Sequence, residues 1–281
     1  MSSVSDGDAD GNGPAILVEG LRKEYGDVVA VAGLDLAVES GAVYGFLGPN
    51  GSGKTTTMRM FTTLARPTSG TARVAGVPVD DRESVIGRVG YLPERPPVFE
   101  ELTGRENLRY VAAVQDVPRA AAREGIDDYL DRFGLADAAD RRVEGYSTGM
   151  RKKLGLVVAI LHRPRVVLLD EPTSGLDPRA ARTVKDLITE LADRQVTIFL
   201  STHILSVVDE LADEVGVLSD GRLVTEGSPE RLKGRAERGE DATLEDVFLQ
   251  VTEDHAAEHG RTGIDGAETG TEAGDGRGVR R

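Results

Sequence analysis

Apolar positions along the chain change their period several times, and the changes divide it into elements. Between residues 15 and 47 they come in short β-rich runs: AILVEGL at 15–21, DVVAV at 27–31, GLDLAV at 33–38 and VYGFL at 43–47. The last is almost uninterruptedly apolar, the pattern of a strand buried on both faces. From Lys54 the spacing turns helical, in KTTTMRMFTTLA at 54–65. Strand-like runs return in TARVAG at 71–76 and RVGYL at 88–92, the second stopped by Pro93. A helical region follows over 101–133, where Thr103 and Glu106 form a capping box and Ile126, Tyr129, Leu130 and Phe133 share one face. The runs RVVLLD at 165–170, TIFL at 197–200 and EVGVL at 214–218 alternate with helical patterns. Strands alternating with helices predict an α/β domain on a parallel sheet covered on both faces.

The two ends break this pattern. Residues 1–13 are small and acidic, and 253–281 hold seven Gly, seven acidic residues and almost no large apolar side chain. Both are expected to be disordered, which leaves one domain over 14–252. His255 and His259 fall in that tail and are not expected to be metal ligands.

Composition narrows the function. Cysteine is absent, which excludes disulfides and thiolate metal sites. A net charge of −14 argues against a general nucleic-acid binder. Only six of the 34 basic residues are Lys, and this acid-rich, lysine-poor balance resembles proteins of salt-loving archaea, whose surface repulsion is screened by salt. No run approaches the 18 apolar residues of a membrane span. The first residues lack the basic and apolar regions of a signal peptide. The expectation is a cytoplasmic protein that reaches a membrane only through a partner.

Two motifs carry chemistry. GPNGSGKT at 48–55 fits G-x-x-x-x-G-K-[ST] and lies between a strand and a helix, as a phosphate-binding P-loop must. Gly48, Gly51 and Gly53 let backbone N–H groups curl around phosphate oxygens, and the helix N-terminus adds its dipole. Lys54 is expected on the β- and γ-phosphates and the Thr55 hydroxyl on Mg²⁺. The binding stretch is Gly48, Pro49, Asn50, Gly51, Ser52, Gly53, Lys54, Thr55 and Thr56. The second motif, VVLLDEP at 166–172, ends a buried strand in Asp170 and Glu171. Side chains alternate along a strand, so one acid suits the metal and the other a water facing the γ-phosphate.

With these motifs in this order, the chain resembles the nucleotide-binding subunit of an ATP-binding cassette (ABC) transporter over about residues 15–250. The resemblance implies a P-loop fold with a RecA-like mixed sheet, an N-terminal antiparallel β subdomain and a helical subdomain over about 95–160. It implies that Tyr25 stacks on adenine, that Glu94 (more often Gln in the family) contacts metal and water, and that Ser147, Thr148 and Gly149 form the signature. Asp170 then supports Mg²⁺, Glu171 is the catalytic glutamate that polarises the water, Ser174–Asp177 joins two active sites, and His203 senses the γ-phosphate. Each ATP lies between one P-loop and the signature of a second copy or homologous subunit, so hydrolysis requires a head-to-tail dimer. The partner is an integral membrane permease, docked near Glu94 by the helix at 101–116. YSTGMRKK at 146–153 and LEDVFL at 244–249 resemble the branch with compact, export-type membrane subunits. Arg151, Lys152 and Lys153 are expected to add positive potential beside the phosphate, unless one of them pairs with a carboxylate of its own chain. Mg²⁺ is the only metal expected.

The alternatives are a soluble ABC-type ATPase outside transport and a non-hydrolysing ATP-binding scaffold. A single P-loop and the absence of a long coiled coil argue against the first; Lys54, Glu171 and His203 together argue against the second. A GTPase would need N-K-x-D, which the sequence lacks.

Overall fold

The computed structural model describes residues 13–234 and 243–261, the side chains of 253–261 excepted. Two sheets organise the described chain. The first is antiparallel and contains β1 (Ile16–Tyr25), β2 (Val28–Val38), β4 (Ser69–Val74) and β5 (Val77–Pro78), in the order β2-β1-β4-β5. The second contains β3 (Val43–Leu47), β6 (Val89–Leu92), β7 (Val166–Asp170), β8 (Thr197–Ser201), β9 (Glu214–Ser219) and β10 (Arg222–Gly227), in the order β10-β9-β3-β8-β7-β6. Five of its strands run parallel, and only β10 is antiparallel, paired with β9. The expected P-loop architecture, with its mixed sheet and antiparallel β subdomain, is what the chain adopts.

Every residue of β3, β7 and β8 is buried, as their continuous apolar runs require. Tyr44 and Phe46 of β3 and Phe61 of α1 (Lys54–Phe61) surround Phe199 of β8 at centroid distances of 5.0–5.5 Å. Such ring pairs contribute about 0.5–1.5 kcal/mol each beyond their buried area. They seat α1, and hence the loop before it, against the sheet.

The helical subdomain contains α3 (Gly104–Val114), α4 (Arg119–Arg132) and the start of α5 (Thr148–Ile160), with a short α2 (Arg82–Ile86) preceding β6. The capping box at Thr103 and Glu106 is formed in both directions. Ile126, Leu130 and Phe133 are buried in one cluster, with Tyr129 packed at its margin. Tyr146, just before the signature, is buried and donates its hydroxyl to the Ala138 carbonyl at 2.7 Å. The later helices are α6 (Pro178–Asp193), α7 (Leu205–Leu211), α8 (Pro229–Lys233) and α9 (Leu244–Arg261).

Several boundaries differ from those expected. The runs at 27–31 and 33–38 form one strand, β2, which bends at Gly33 (φ +95°). Helix α1 ends at Phe61 rather than 65, and Thr63 turns left-handed (φ +62°). The helical region splits at Asp116 (φ +52°) and Pro118. Strand β10 is additional. Helix α9 continues to Arg261, so the boundary expected at 252 falls inside a helix. The expected disorder of 1–12 and 262–281 lies outside the described residues.

Candidate active site

In a parallel sheet all strands end on one side, and loops leaving that edge form the crevice. Here the C-terminal ends of β3, β6, β7 and β8 lead into the P-loop, Glu94, Asp170–Glu171 and Thr202–His203. Most of the P-loop, Glu94, Asp170, Glu171 and His203 line one cleft of about 270 Å³ together with Ala30 and Ser174. The topology thus gathers groups as distant in sequence as Ala30 and His203.

The P-loop is cradled by backbone on two sides. A Cβ at Gly53 (φ +109°) would stand 2.4 Å from the Ala30 carbonyl, and one at Gly48 would stand 2.4 Å from that of Leu218. Only glycine fits there. Gly221, in the turn between β9 and β10, donates its N–H to Ser52 O at 3.0 Å and accepts from Ala32 N at 2.8 Å. Lys54 donates its ammonium to the carbonyls of Gly48 (2.7 Å) and Pro49 (3.0 Å). Burial pushes that ammonium's pKa down, and Glu171 and Asp170 act against this. The buried Ser52 Oγ has no hydrogen-bond partner.

Thr55 donates its hydroxyl to Asp170 Oδ2 at 2.9 Å, bridging the P-loop helix to the end of β7. Asp170 is 3% exposed. Burial raises its carboxyl above the ordinary range, and the bond from Thr55 opposes the shift. Among the described residues no group of three or more His, Asp or Glu is arranged around a metal. One hydroxyl and one buried carboxylate instead form the partial oxygen set that Mg²⁺ takes alongside phosphate oxygens and water. Glycine positions that a Cβ would block, an unpartnered Ser52 hydroxyl and the Thr55–Asp170 pair all fit a Mg-nucleotide.

Glu171 stands at φ +51°, uncommon for a residue with a Cβ and further opposed by the following Pro172. Such a conformation costs about 1–3 kcal/mol and persists where neighbours enforce it. Its N–H bonds to the Ser201 carbonyl at 2.8 Å. Oε1 accepts from the His203 N–H at 3.0 Å and lies 2.8 Å from His203 Nδ1, while Oε2 accepts from the Thr202 hydroxyl at 3.1 Å. The acid is therefore oriented by the loop after β8. Thr202 escaped the sequence reading; its signal was a hydroxyl between an apolar strand and His203.

The remaining expected residues are not in this cleft. Ser147 caps α5, accepting from Met150 N at 3.2 Å, and both Ser147 and Thr148 are exposed. Gly149 packs toward Leu176. Asp177 caps α6 through a 2.9 Å bond from Ala180 N. Tyr25 is half exposed at the end of β1, with Lys23 Nζ 4.7 Å from its ring centroid. Within the basic trio Arg151 takes the intramolecular alternative, its guanidinium 3.6 Å from Glu100 Oε1. Arg151 donates to the carbonyls of Val143 (3.4 Å) and Glu144 (2.9 Å), and Lys152 is buried, so two of the three charges are engaged within the chain.

Residues 31–174 match the family model described as ABC transporter. The chain belongs to this family. An ABC subunit from Streptomyces peucetius, the daunorubicin/doxorubicin resistance ATP-binding protein DrrA, is 45% identical over 220 residues, covering 78% of this chain and 67% of that protein. The bacitracin transport ATP-binding protein BcrA of Bacillus licheniformis is 40% identical over 217 residues, 76% of this chain and 70% of that one. A solved structure described as the ATP binding subunit of an ABC transporter superimposes with a TM-score of 0.80 at 28% identity, covering 85% of this chain and 99% of that one. This ABC subunit binds and hydrolyses ATP, with Mg²⁺, and is related to exporter-type subfamilies. Members of the family dimerise and pair with membrane permeases. Among the described residues no helix is long and apolar enough to cross a membrane.

Proposed function

We propose that the chain works as a head-to-tail dimer with a second copy or a homologous subunit, and that its hydrolysis drives export through a separate permease. The observation that carries this reading is the separation of the two half-sites. The P-loop, Asp170, Glu171 and His203 share a cleft, while Ser147, Thr148 and the N-terminus of α5 lie outside it and exposed. An exposed helix N-terminus is suited to a phosphate supplied by another molecule.

In this reading the backbone of residues 48–56 cradles the phosphates, and Lys54 exchanges its loop carbonyls for β- and γ-oxygens. Thr55 and Asp170, with Glu94 beside them, hold Mg²⁺, which when bound neutralises charge on the transferring phosphoryl group. Glu171, fixed by Thr202 and His203, accepts a proton from the attacking water in line with the γ-phosphate. His203 also donates toward the γ-phosphate. Ser147, Thr148 and Gly149 of the second subunit stabilise the developing charge, Asp177 connects the two sites, and Tyr25 stacks on adenine.

The permease surface is the outer face of α3. Tyr110 and Val114 are exposed there, and Phe99 packs edge-to-face on Tyr110 at 5.2 Å. Asn107 fixes the Phe99 backbone with bonds of 2.8 and 3.0 Å, close in sequence to Glu94. In this reading the permease holds the protein on the cytoplasmic face of the membrane. The names of the relatives support export of an antibiotic-class compound. The lysine-poor acidic composition supports work in concentrated salt, although the relatives named here are bacterial.

The absence of cysteine makes the dimer directly testable. Asn50→Cys and Thr148→Cys proteins are mixed and oxidised with and without Mg-ATP. The expected product is an Asn50–Thr148 disulfide between chains, formed only in the mixture and only with nucleotide. No such product, with both variants still binding ATP, would refute the arrangement.

A further inference from the structure

Lys152 is 5% exposed at the start of α5. A buried ammonium is costly unless its donors are used, and this one donates to the backbone carbonyls of Glu171 and, at 2.7 Å, Ser174. Those carbonyls bracket the turn after β7, which is also closed by Ser174 N–H to Glu171 O at 3.3 Å. The grip therefore falls on the residue held at φ +51° before a proline. Strand pairing fixes the Glu171 peptide on its N-terminal side, through Ser201. On its carbonyl side, the charged donor is Lys152. Burial lowers the ammonium's pKa, while Glu171, Glu94 and Asp170 all favour its charged form.

We propose that Lys152 is a positioning residue for hydrolysis: by gripping the carbonyls of Glu171 and Ser174, it holds Glu171 in the left-handed conformation that presents its carboxylate to the cleft. Lys152 does not line the cleft and acts through the turn that carries Glu171. Because Lys152 belongs to the helix that begins with the signature, the grip also ties that helix to the catalytic glutamate of the same chain. The inference rests on the role given to Glu171 above.

The test is Lys152→Met, similar in length and without a donor, alone and combined with Glu171→Gln. Steady-state phosphate release and ATP-driven dimer formation are measured on each protein. Expected for Lys152→Met is a fall in kcat of thirtyfold or more, with KM for Mg-ATP within threefold and dimer formation retained. In the Glu171→Gln background the same change should lower residual turnover less than twofold, since coupled residues are non-additive. Should Lys152→Met not fold, Lys152→Gln is judged by the same criteria. A kcat within threefold of the parent, an equal loss in both backgrounds, or loss of nucleotide binding together with turnover would each overturn the proposal. Near-parental turnover in Glu171→Gln alone would instead overturn the assignment of Glu171, and this inference with it.

Discussion

Gly155 lies mid-helix in α5, where alanine would ordinarily be an improvement. Replacing glycine by alanine in a helix interior gains about 1 kcal/mol of propensity. Here the added Cβ would stand 2.5 Å from Pro96 Cβ and 2.9 Å from Leu92 Cδ1. Carbon atoms pack best at about 3.5–4.0 Å, so the first contact overlaps by roughly 1 Å. Pro96 Cβ belongs to a rigid ring and cannot rotate away. Overpacking of this kind costs about 1–3 kcal/mol, and so severe an overlap belongs at or above the upper end. The clash therefore outweighs the propensity gain, for a net loss of about 2 kcal/mol or more. That lowers Tm by roughly 4–8 °C for a domain of this size. Relief requires the segment at 93–97 to move, which carries Glu94 with it. Gly155→Ala should thus melt earlier and lose turnover more than nucleotide affinity. The assay is a thermal melt with and without Mg-ATP beside steady-state hydrolysis. An unchanged or raised Tm would refute the reasoning.

Glu171→Gln keeps acceptors for His203 and places an amide toward the Thr202 hydroxyl, which can accept, so no buried group is orphaned. Turnover should fall about 10²–10⁴-fold while Tm and ATP-dependent dimerisation persist; loss of nucleotide binding instead would count against the role. Burial depresses the His162 ring's pKa below its ordinary 6.5. The unfolded chain therefore takes up the proton first as pH falls, and stability present above 6.5 is lost below it. Urea midpoints measured from about pH 7 to about pH 5.5 should fall less steeply for His162→Leu than for the parent; identical slopes would exclude the group. Val114→Asp, on the outer face of α3, should leave ATPase activity of the isolated protein within twofold. It should abolish stimulation by the reconstituted permease, and full stimulation would remove α3 from the docking surface.

Local signals made much of this architecture legible. The P-loop is a contiguous motif, and the capping box at Thr103 and Glu106 spans three residues; both form as the sequence implies. Two boundaries failed at left-handed residues outside the glycine pattern: Thr63 ends α1 early, and Asp116 divides α3 from α4. Strand β10 lacks alternation, with four half-buried residues in a row, although Asp220–Gly221 before it is a strong hairpin signal. The basic trio shows the deeper limit. Charge at a helix start suggested attraction to phosphate, but the partners of Lys152 are carbonyls about twenty residues away, brought close only by the packing of α5 against the end of β7. No short-range pattern encodes such a contact.

The turn at Gly221 has a consequence for how the protein is made. Its two backbone bonds join Ser52 of the P-loop to Ala32 of β2, and Leu218 beside it walls in Gly48. The first phosphate-binding residues leave the ribosome about 170 residues before this brace does. A nascent chain ending just after His203 contains every residue assigned to phosphate and metal, yet the loop that presents them lacks one wall. Nucleotide should protect ribosome-bound chains from protease only once β9 and β10 have emerged from the exit tunnel, which makes ATP binding one of the last properties the growing polypeptide acquires.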